Sequence, residues 1–349
     1  MKNLSVSPEI TIRDAMKLMG TSKNKCLAVV DEKEKLLGTL AYSDLRKSIL
    51  SGAVFNSTIE KSYNNKPTTL VEGHFNEKEV RELLKNPKIK MIPIIDDSGR
   101  YVNYLSWDHG LVKGSEVEHE KLKSPVIIMA GGKGARLDPF TKLLPKPLLP
   151  IHEKPVIEHI IERFTSCGVD NFRITVNYKS RILKAYFEDL QPEYSVQFIE
   201  EEEPLGTAGG LKSLMGKIHE PFLVTNCDII IDTDYVDFLN FHLNYGYDIS
   251  LVASLKEYVI PYGTCELNSE GHLNHINEKP CYDFLINTGL YILNPDVLKF
   301  IPENKFYHIT QLIEEAKNCG KKVGVFPIDD DAWIDVGQWA EYQQAVEKL

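Results

Sequence analysis

Apolar residues in this chain come either as short unbroken runs or as spaced stripes. Val126-Ile127-Ile128-Met129 is an unbroken run and predicts a buried strand, whereas Pro155-Val156-Ile157-Glu158-His159-Ile160-Ile161 spaces its apolar positions as an amphipathic helix does. The same alternation predicts strands at 172–176, 195–199 and 222–225 and helix-like stretches near 155–167, 180–189 and 207–216. Strands that alternate with helices imply a parallel sheet covered on both faces. In such sheets ligands gather at the carboxyl ends of the strands.

Earlier in the chain the pattern repeats. Leu27-Ala28-Val29-Val30-Asp31 matches Ile92-Pro93-Ile94-Ile95-Asp96, and Leu37-Gly38-Thr39-Leu40 matches Val102-Asn103-Tyr104-Leu105, both 65 residues on. The helix ahead of each first strand keeps that register, with Ala15, Leu18 and Met19 falling on Val80, Leu83 and Leu84. Two similar units are therefore expected to pack as a pair. Residues 113–124 are polar and nearly free of core positions, which predicts a linker before the second pattern begins at Pro125.

Composition narrows the function classes. At 349 residues two or three domains are expected, and 43% hydrophobic with 26% charged residues is ordinary for a globular chain. A net charge of −10 argues against general nucleic-acid binding, which needs a broad basic surface. With no long apolar stretch and no leader-like start, the expectation is a cytoplasmic protein without membrane contact. Six cysteines without metal-like spacing are expected to be reduced thiols, mostly buried.

Positive charge is concentrated in one place. Directly behind the strand at 126–129, MAGGKGARLDPFTKLLPKPL (129–148) packs Gly, Pro and four cationic side chains around a single carboxylate. Glycines allow close approach of a backbone to a ligand, and unpartnered cations call for an anion. Two common glycine fingerprints fail here. A dinucleotide GxGxxG would need a small residue where Leu137 stands, and a P-loop would need GKS or GKT where Arg136, Leu137 and Pro139 stand.

What remains is GGxGxRLxPxTxxxPKPL, from Gly131 to Leu148, and it resembles the signature of the sugar-1-phosphate nucleotidyltransferases. The resemblance covers residues 125–349 and implies a Rossmann-like α/β domain with a mixed, mainly parallel sheet. It implies that Gly131, Gly132 and Gly134 hold nucleotide phosphates, that Arg136 meets the leaving pyrophosphate, and that Lys146 bridges the reacting phosphates. By the same resemblance Asp228, at the end of an apolar strand, and Asp335 in Trp333-Ile334-Asp335-Val336-Gly337 bind Mg²⁺. Glu278 would contact sugar hydroxyls and Lys279 the sugar phosphate. Gly263, Asn287 and Tyr291 complete the expected sugar side, Tyr291 reading equally well as core.

The run EEEPLGTAG assigns Glu202, Pro204, Gly206, Thr207 and Ala208 to the nucleotide and is closer to guanylyltransferases than to thymidylyltransferases. GTP is the expected nucleoside triphosphate, with mannose-1-phosphate guanylyltransferase and glucose-1-phosphate thymidylyl- or uridylyltransferase as open alternatives. A non-catalytic sensor of nucleotide sugars is the alternative of another class.

The N-terminal repeat resembles a tandem CBS (Bateman) module over residues 1–118, with halves of about 1–55 and 56–118, followed by a linker at 119–124. Where that family pairs a Ser or Thr with an Asp three residues later, the first half has Ala41 and Asp44, and the second has Ser106 and His109. A regulatory nucleotide at Asp44 and Ser106 and a module that only dimerises or positions its neighbour both stay open. The module implies a homo-oligomer. A CBS pair ahead of this domain is similar in architecture to the glucosamine-1-phosphate guanylyltransferases of bacterial legionaminic acid pathways, which makes glucosamine 1-phosphate the expected sugar.

Overall fold

The computed structural model describes residues 4–22, 25–84, 86, 89–106 and 121–348. The chain folds as two compact units, Met1–Glu118 and His119–Leu349. His109, and the linker expectation as far as residue 120, lie outside the described residues.

The first unit realises the repeat in its hydrogen bonding. The hairpin of Cys26–Val30 with Leu36–Ala41 sets Leu27 opposite Leu40, and that of Ile92–Ile95 with Tyr101–Leu105 sets Ile92 opposite Leu105, the same pairing shifted by 65. Each hairpin gains a parallel edge strand, Ser5–Val6 or Leu70–Val71. The hairpin turns join across the repeat, Leu36 N donating to Gly99 O and Tyr101 N to Glu34 O. Cys26, Ala28 and Met91 share one small core there.

The second unit is built on a seven-stranded sheet in the order Ser195–Glu200, Asn171–Val176, Val126–Met129, Phe222–Asn226, Cys281–Leu293, Ile249–Val259, Val323–Asp329. All but one of these strands share a direction. Cys281–Leu293 runs antiparallel to both neighbours, so the all-parallel expectation drawn from periodicity gives way to the mixed, mainly parallel sheet. This strand returns from a hairpin excursion, Thr264–Leu267 with Leu273–Asn277, and a chain that reverses without a crossover helix must come back antiparallel.

Side-chain alternation explains why unbroken apolar runs mark these strands. Val126 and Ile128 enter one core with Ile157, Ile161, Phe164 and Phe172, while Ile127 enters another with Leu211, Phe222, Val224 and Leu312. Both faces of the sheet are thus covered, and no position on the strand is left to be polar.

Two expectations need correction. The stretch at 207–216 forms a short 3₁₀ helix, Gly209–Leu214, rather than an α-helix. Consecutive glycines at 209 and 210 weaken helical propensity, and they are needed for another reason, since Leu205 Cβ and Lys305 O leave no room for a Cβ at 209. Of the cysteines only Cys26 and Cys227 are buried, with Cys167 half-buried. Cys265 falls on the hairpin excursion, Cys281 at the outer end of its sheet strand and Cys319 at a helix end, and all three are exposed. Among the described residues no helix is long and apolar enough to cross a membrane.

Burial of one histidine makes the second unit sensitive to acid. His242 is 1% exposed, with Nδ1 2.9 Å from Ser250 Oγ and Nε2 3.1 Å from Asn294 Oδ1. Desolvation lowers its pKa below the ordinary histidine value. The unfolded chain then binds the proton more readily than the fold. Stability is therefore full above about pH 6.5 and declines as pH falls through the lowered native pKa. Thermal melts between pH 7.5 and 5 are expected to show this decline, and His242→Gln to flatten it.

Candidate active site

The opening strand delivers its loop to the carboxyl edge of the sheet, where Ala130 N still donates to Thr175 O at 3.0 Å. From there the chain folds back on itself at Gly134, whose φ is +65°. A Cβ at this position would come 2.9 Å from Thr141 Cγ2 and 3.2 Å from Lys146 Cβ. Only glycine lets the first part of the loop lie against the second. Arg136, on the single 3₁₀ turn Ala135–Leu137, is exposed, whereas the neighbouring Leu137 is buried and anchors the turn.

Lys146 reaches the far end of strand Phe222–Asn226. Its Nζ donates to Asp228 Oδ2, with side-chain exposures of 13% and 22%. Beyond Asp228 a two-stranded ribbon of Ile229–Ile231 and Trp333–Asp335 sets Ile229 opposite Asp335, and Val336 N donates to Asp228 O at 2.8 Å. This pairing brings together two acids that lie far apart in sequence. A Cβ on Gly337 would sit 2.7 Å from Asp335 Oδ1 and 3.5 Å from Asp228 Oδ2, so both carboxylates border the space that this glycine leaves. Asp335 Oδ1 accepts from Gly337 N at 2.6 Å. Burial, with the nearby Asp228 charge second, pushes the Asp335 carboxyl above its usual range. Two converging carboxylates are hard oxygen donors of the kind Mg²⁺ prefers. Among the described residues no third His, Cys, Asp or Glu completes a cage. The remaining coordination positions would therefore fall to phosphates and water.

Within the acidic run that follows strand Ser195–Glu200, one residue not singled out from the sequence, Glu201, packs against the glycine loop. A Cβ at Gly131 would come 3.1 Å from its Oε2, a Cβ at Gly210 would collide with its Oε1, and Leu205 N donates to Oε2 at 3.2 Å. Burial raises the Glu201 carboxyl. Glu202 and Pro204 are exposed. The available signal was the glycine at 210 together with strand continuation, because Glu201 N still extends the ladder to Val176 O.

The LGTAG segment is tied down by the irregular segment that leads into helix Ile309–Asn318. Thr207 Oγ1 accepts from Ile309 N at 2.9 Å, and Ala208 N and Gly209 N both donate to Tyr307 O. Ala208 is buried in the core. The Thr207 hydroxyl thus serves the start of helix Ile309–Asn318.

At the residues expected to meet the sugar, Gly263 and Glu278 face each other, with 2.8 Å from a Cβ at Gly263 to Glu278 Oε2. Glu278 and Lys279 are exposed, and Lys279 turns with φ +47°. Asn287 Nδ2 donates to Tyr291 Oη at 2.9 Å, and Tyr291 is 2% exposed. Of its two readings, core placement is the one this geometry shows. Gly289, with φ +93°, lies where any Cβ would meet Asn226 Nδ2 at 2.5 Å.

In the first unit Asp44 Oδ2 accepts from Ala41 N at 2.9 Å and caps the helix Tyr42–Leu50. Ser106 is buried directly after strand Tyr101–Leu105.

The model of the nucleotidyl transferase family matches residues 125–349, all but the first few residues of the unit that carries these loops. The chain belongs to the nucleotidyl transferase family. A CBS domain model matches residues 1–51. Among curated relatives, the mannose-1-phosphate guanyltransferase of Schizosaccharomyces pombe is 36% identical over 226 residues, which is 62% of this chain and 61% of that protein. The chain thus spans about three fifths of the length of such relatives. HddC from Yersinia pseudotuberculosis superposes with a TM-score of 0.52 at 29% identity over 64% of this chain and 99% of its own. A second HddC structure, complexed with GMP-PN, gives 0.51 at 28% identity, again over 64% of this chain and 99% of its own.

In the second unit Gly206 has φ +78°, and a Cβ would sit 2.7 Å from Tyr307 O. Gly206→Ala is therefore expected to destabilise the second unit by about 1–3 kcal/mol, from left-handed backbone strain and a backbone clash together. Denaturant melts of the full chain would read the loss.

Proposed function

We propose that the chain is a sugar-1-phosphate guanylyltransferase, converting GTP and a hexose 1-phosphate to a GDP-sugar and pyrophosphate. The observation that carries this reading is the meeting of Lys146 with Asp228 and Asp335 behind a glycine loop. An oxygen of the sugar phosphate attacks the α-phosphorus of the nucleotide, the bond to the bridging oxygen breaks in line, and pyrophosphate leaves. No covalent intermediate is needed, because the sugar phosphate already carries its nucleophile. The obstacle is repulsion between two polyanions.

The chain's residues answer that obstacle by position and charge. Backbone N–H groups around Gly131–Gly134 orient the triphosphate. Arg136 balances charge on the departing pyrophosphate, and Lys146 transfers its partnership from Asp228 to the reacting phosphates. Lys279 holds the sugar phosphate, while Glu278 and Asn287 orient the sugar. The acid pair fits Mg²⁺, the ion that the family generally uses, and when bound it neutralises phosphate charge.

Guanine is favoured by the run around Glu201 and by the guanyltransferase relatives. For the sugar, relatives favour mannose 1-phosphate, while the CBS architecture favours glucosamine 1-phosphate. The CBS pair is proposed to assemble the chain as a homo-oligomer and to admit a regulatory nucleotide near Asp44 and Ser106.

Pyrophosphorolysis tests the reading. With Mg²⁺ and pyrophosphate, release of GTP from GDP-mannose or GDP-glucosamine, but not of dTTP from dTDP-glucose, is expected. Release only from the thymidine sugar would overturn the base assignment. Nucleotide-sugar binding with no release of any triphosphate would favour the sensor.

A further inference from the structure

The turn between the two cationic arms of the loop is gripped from outside by two other parts of the second unit. Arg136 lies just before this turn, Asp138–Leu144, and Lys146 just after it. The Phe140 ring lies flat on Trp339, with centroids 5.2 Å apart and planes 7° apart, and Trp339 stacks in turn on Tyr342 at 5.6 Å. Tyr342 Oη donates to Pro150 O, which fixes the other end of the loop to the same helix. From the loop after strand Asn171–Val176, Tyr178 Oη donates to Thr141 O at 3.2 Å, and Lys179 Nζ donates to Lys142 O at 2.7 Å and to Leu143 O at 3.1 Å. Lys179 does so from a left-handed backbone, φ +53°, which a lysine adopts only when its surroundings impose it.

These contacts are hard to account for as ordinary surface packing. Phe140 and Trp339 are 47% and 44% exposed, yet they are stacked face to face. Trp339 follows the acid Asp335 by four residues, and Phe140 follows Arg136 by four. The stack therefore ties the segment carrying the acid pair to the segment carrying both loop cations. The loop itself holds nothing longer than single 3₁₀ turns, so its order must come from such ties.

We propose that the Phe140–Trp339 stack and the Lys179 bonds form a strut that fixes Arg136 and Lys146 relative to Asp228 and Asp335, making Trp339 and Lys179 positioning residues for the triphosphate and its departing pyrophosphate. The proposal rests on the guanylyltransferase reading for its kinetic consequence alone. Misplacement of such groups by about 1 Å costs on the order of 100-fold in rate. The strut grips the arms carrying Arg136 and Lys146 and leaves the Glu278–Lys279 turn alone, so its loss should lower turnover without raising KM for the sugar phosphate.

Kinetics and amide exchange on the full chain test this. Trp339→Ala and Lys179→Met are each expected to lower kcat/KM for the nucleotide at least tenfold while KM for the sugar phosphate stays within twofold. Trp339→Phe, which can still stack, should stay within threefold of the parent, and Phe140→Ala should reproduce Trp339→Ala. In Trp339→Ala the amides of Leu137, Lys142 and Leu143 should exchange at least tenfold faster, with those of Val126–Met129 unchanged. Equal impairment by Trp339→Ala and Trp339→Phe, a more than twofold rise in KM for the sugar phosphate, or unaltered loop exchange would overturn the strut. A parent chain without turnover would defeat the enzymatic reading instead, and the exchange rates would then judge the strut alone.

Discussion

Lys146→Ala is expected to lower turnover by about two to three orders of magnitude while changing nucleotide affinity far less. The reason lies in what the side chain touches. Its ammonium is largely buried and paired with Asp228, so it lies where charge must be balanced during transfer. On the proposed function, ground-state binding comes from the backbone amides of Gly131–Gly134, which need no side chain and survive the substitution. Loss of one preorganised electrostatic contact typically costs about 10²–10³ in kcat. Lys146→Arg is expected to recover little, because the space beside Gly134 is already filled by the lysine stem. Steady-state rates beside equilibrium nucleotide binding would check both halves. An unchanged kcat would remove Lys146 from the mechanism.

Asp335→Asn carries the second large effect, and it separates stability from activity. Burial is the main cost of ionising Asp335, and the like charge of nearby Asp228 adds to it. An asparagine keeps an oxygen to accept from Gly337 N and keeps the ribbon pairing, but removes the repulsion. Without metal the variant should melt no lower than the parent, and with metal it should not gain the parent's Mg²⁺-dependent rise. Turnover is expected to fall by about 10²-fold or more, with a higher Mg²⁺ requirement. Trade of function for stability is the usual mark of charges assembled for a ligand rather than for the fold. A variant of unaltered rate and unaltered Mg²⁺ requirement would contradict the placement of the metal there.

The sequence disclosed those parts of the fold whose physics is local. Strand Val126–Met129 and helix Val156–Thr165 were legible because unbroken and spaced apolar patterns report directly on burial. The 65-residue repeat was legible because both hairpins solve the same packing problem with the same spacing. The mixed direction of the sheet came from the family resemblance and not from periodicity, since Cys281–Leu293 owes its reversal to a hairpin excursion that leaves no mark on its own residues. At the site, the glycine loop, Lys146 and the two acids were named from motif resemblance, and the structure supplies the ribbon that makes Asp228 and Asp335 neighbours. Glu201 was passed over because four consecutive glutamates look alike until strand register and the open side of Gly210 select one. Trp339 carried no motif at all. Its contact with Phe140 spans nearly 200 residues of chain and depends on where the last helix starts.

Pyrophosphate release by the purified chain with Mg²⁺, crossing GTP, UTP, CTP, dTTP and ATP against the 1-phosphates of glucosamine, N-acetylglucosamine, glucose and mannose, tests the central claim most directly. Turnover confined to GTP with one hexose 1-phosphate, abolished by chelation of the metal, is the predicted result. Selective turnover with a different nucleotide, or nucleotide binding without pyrophosphate release in any combination, would contradict it.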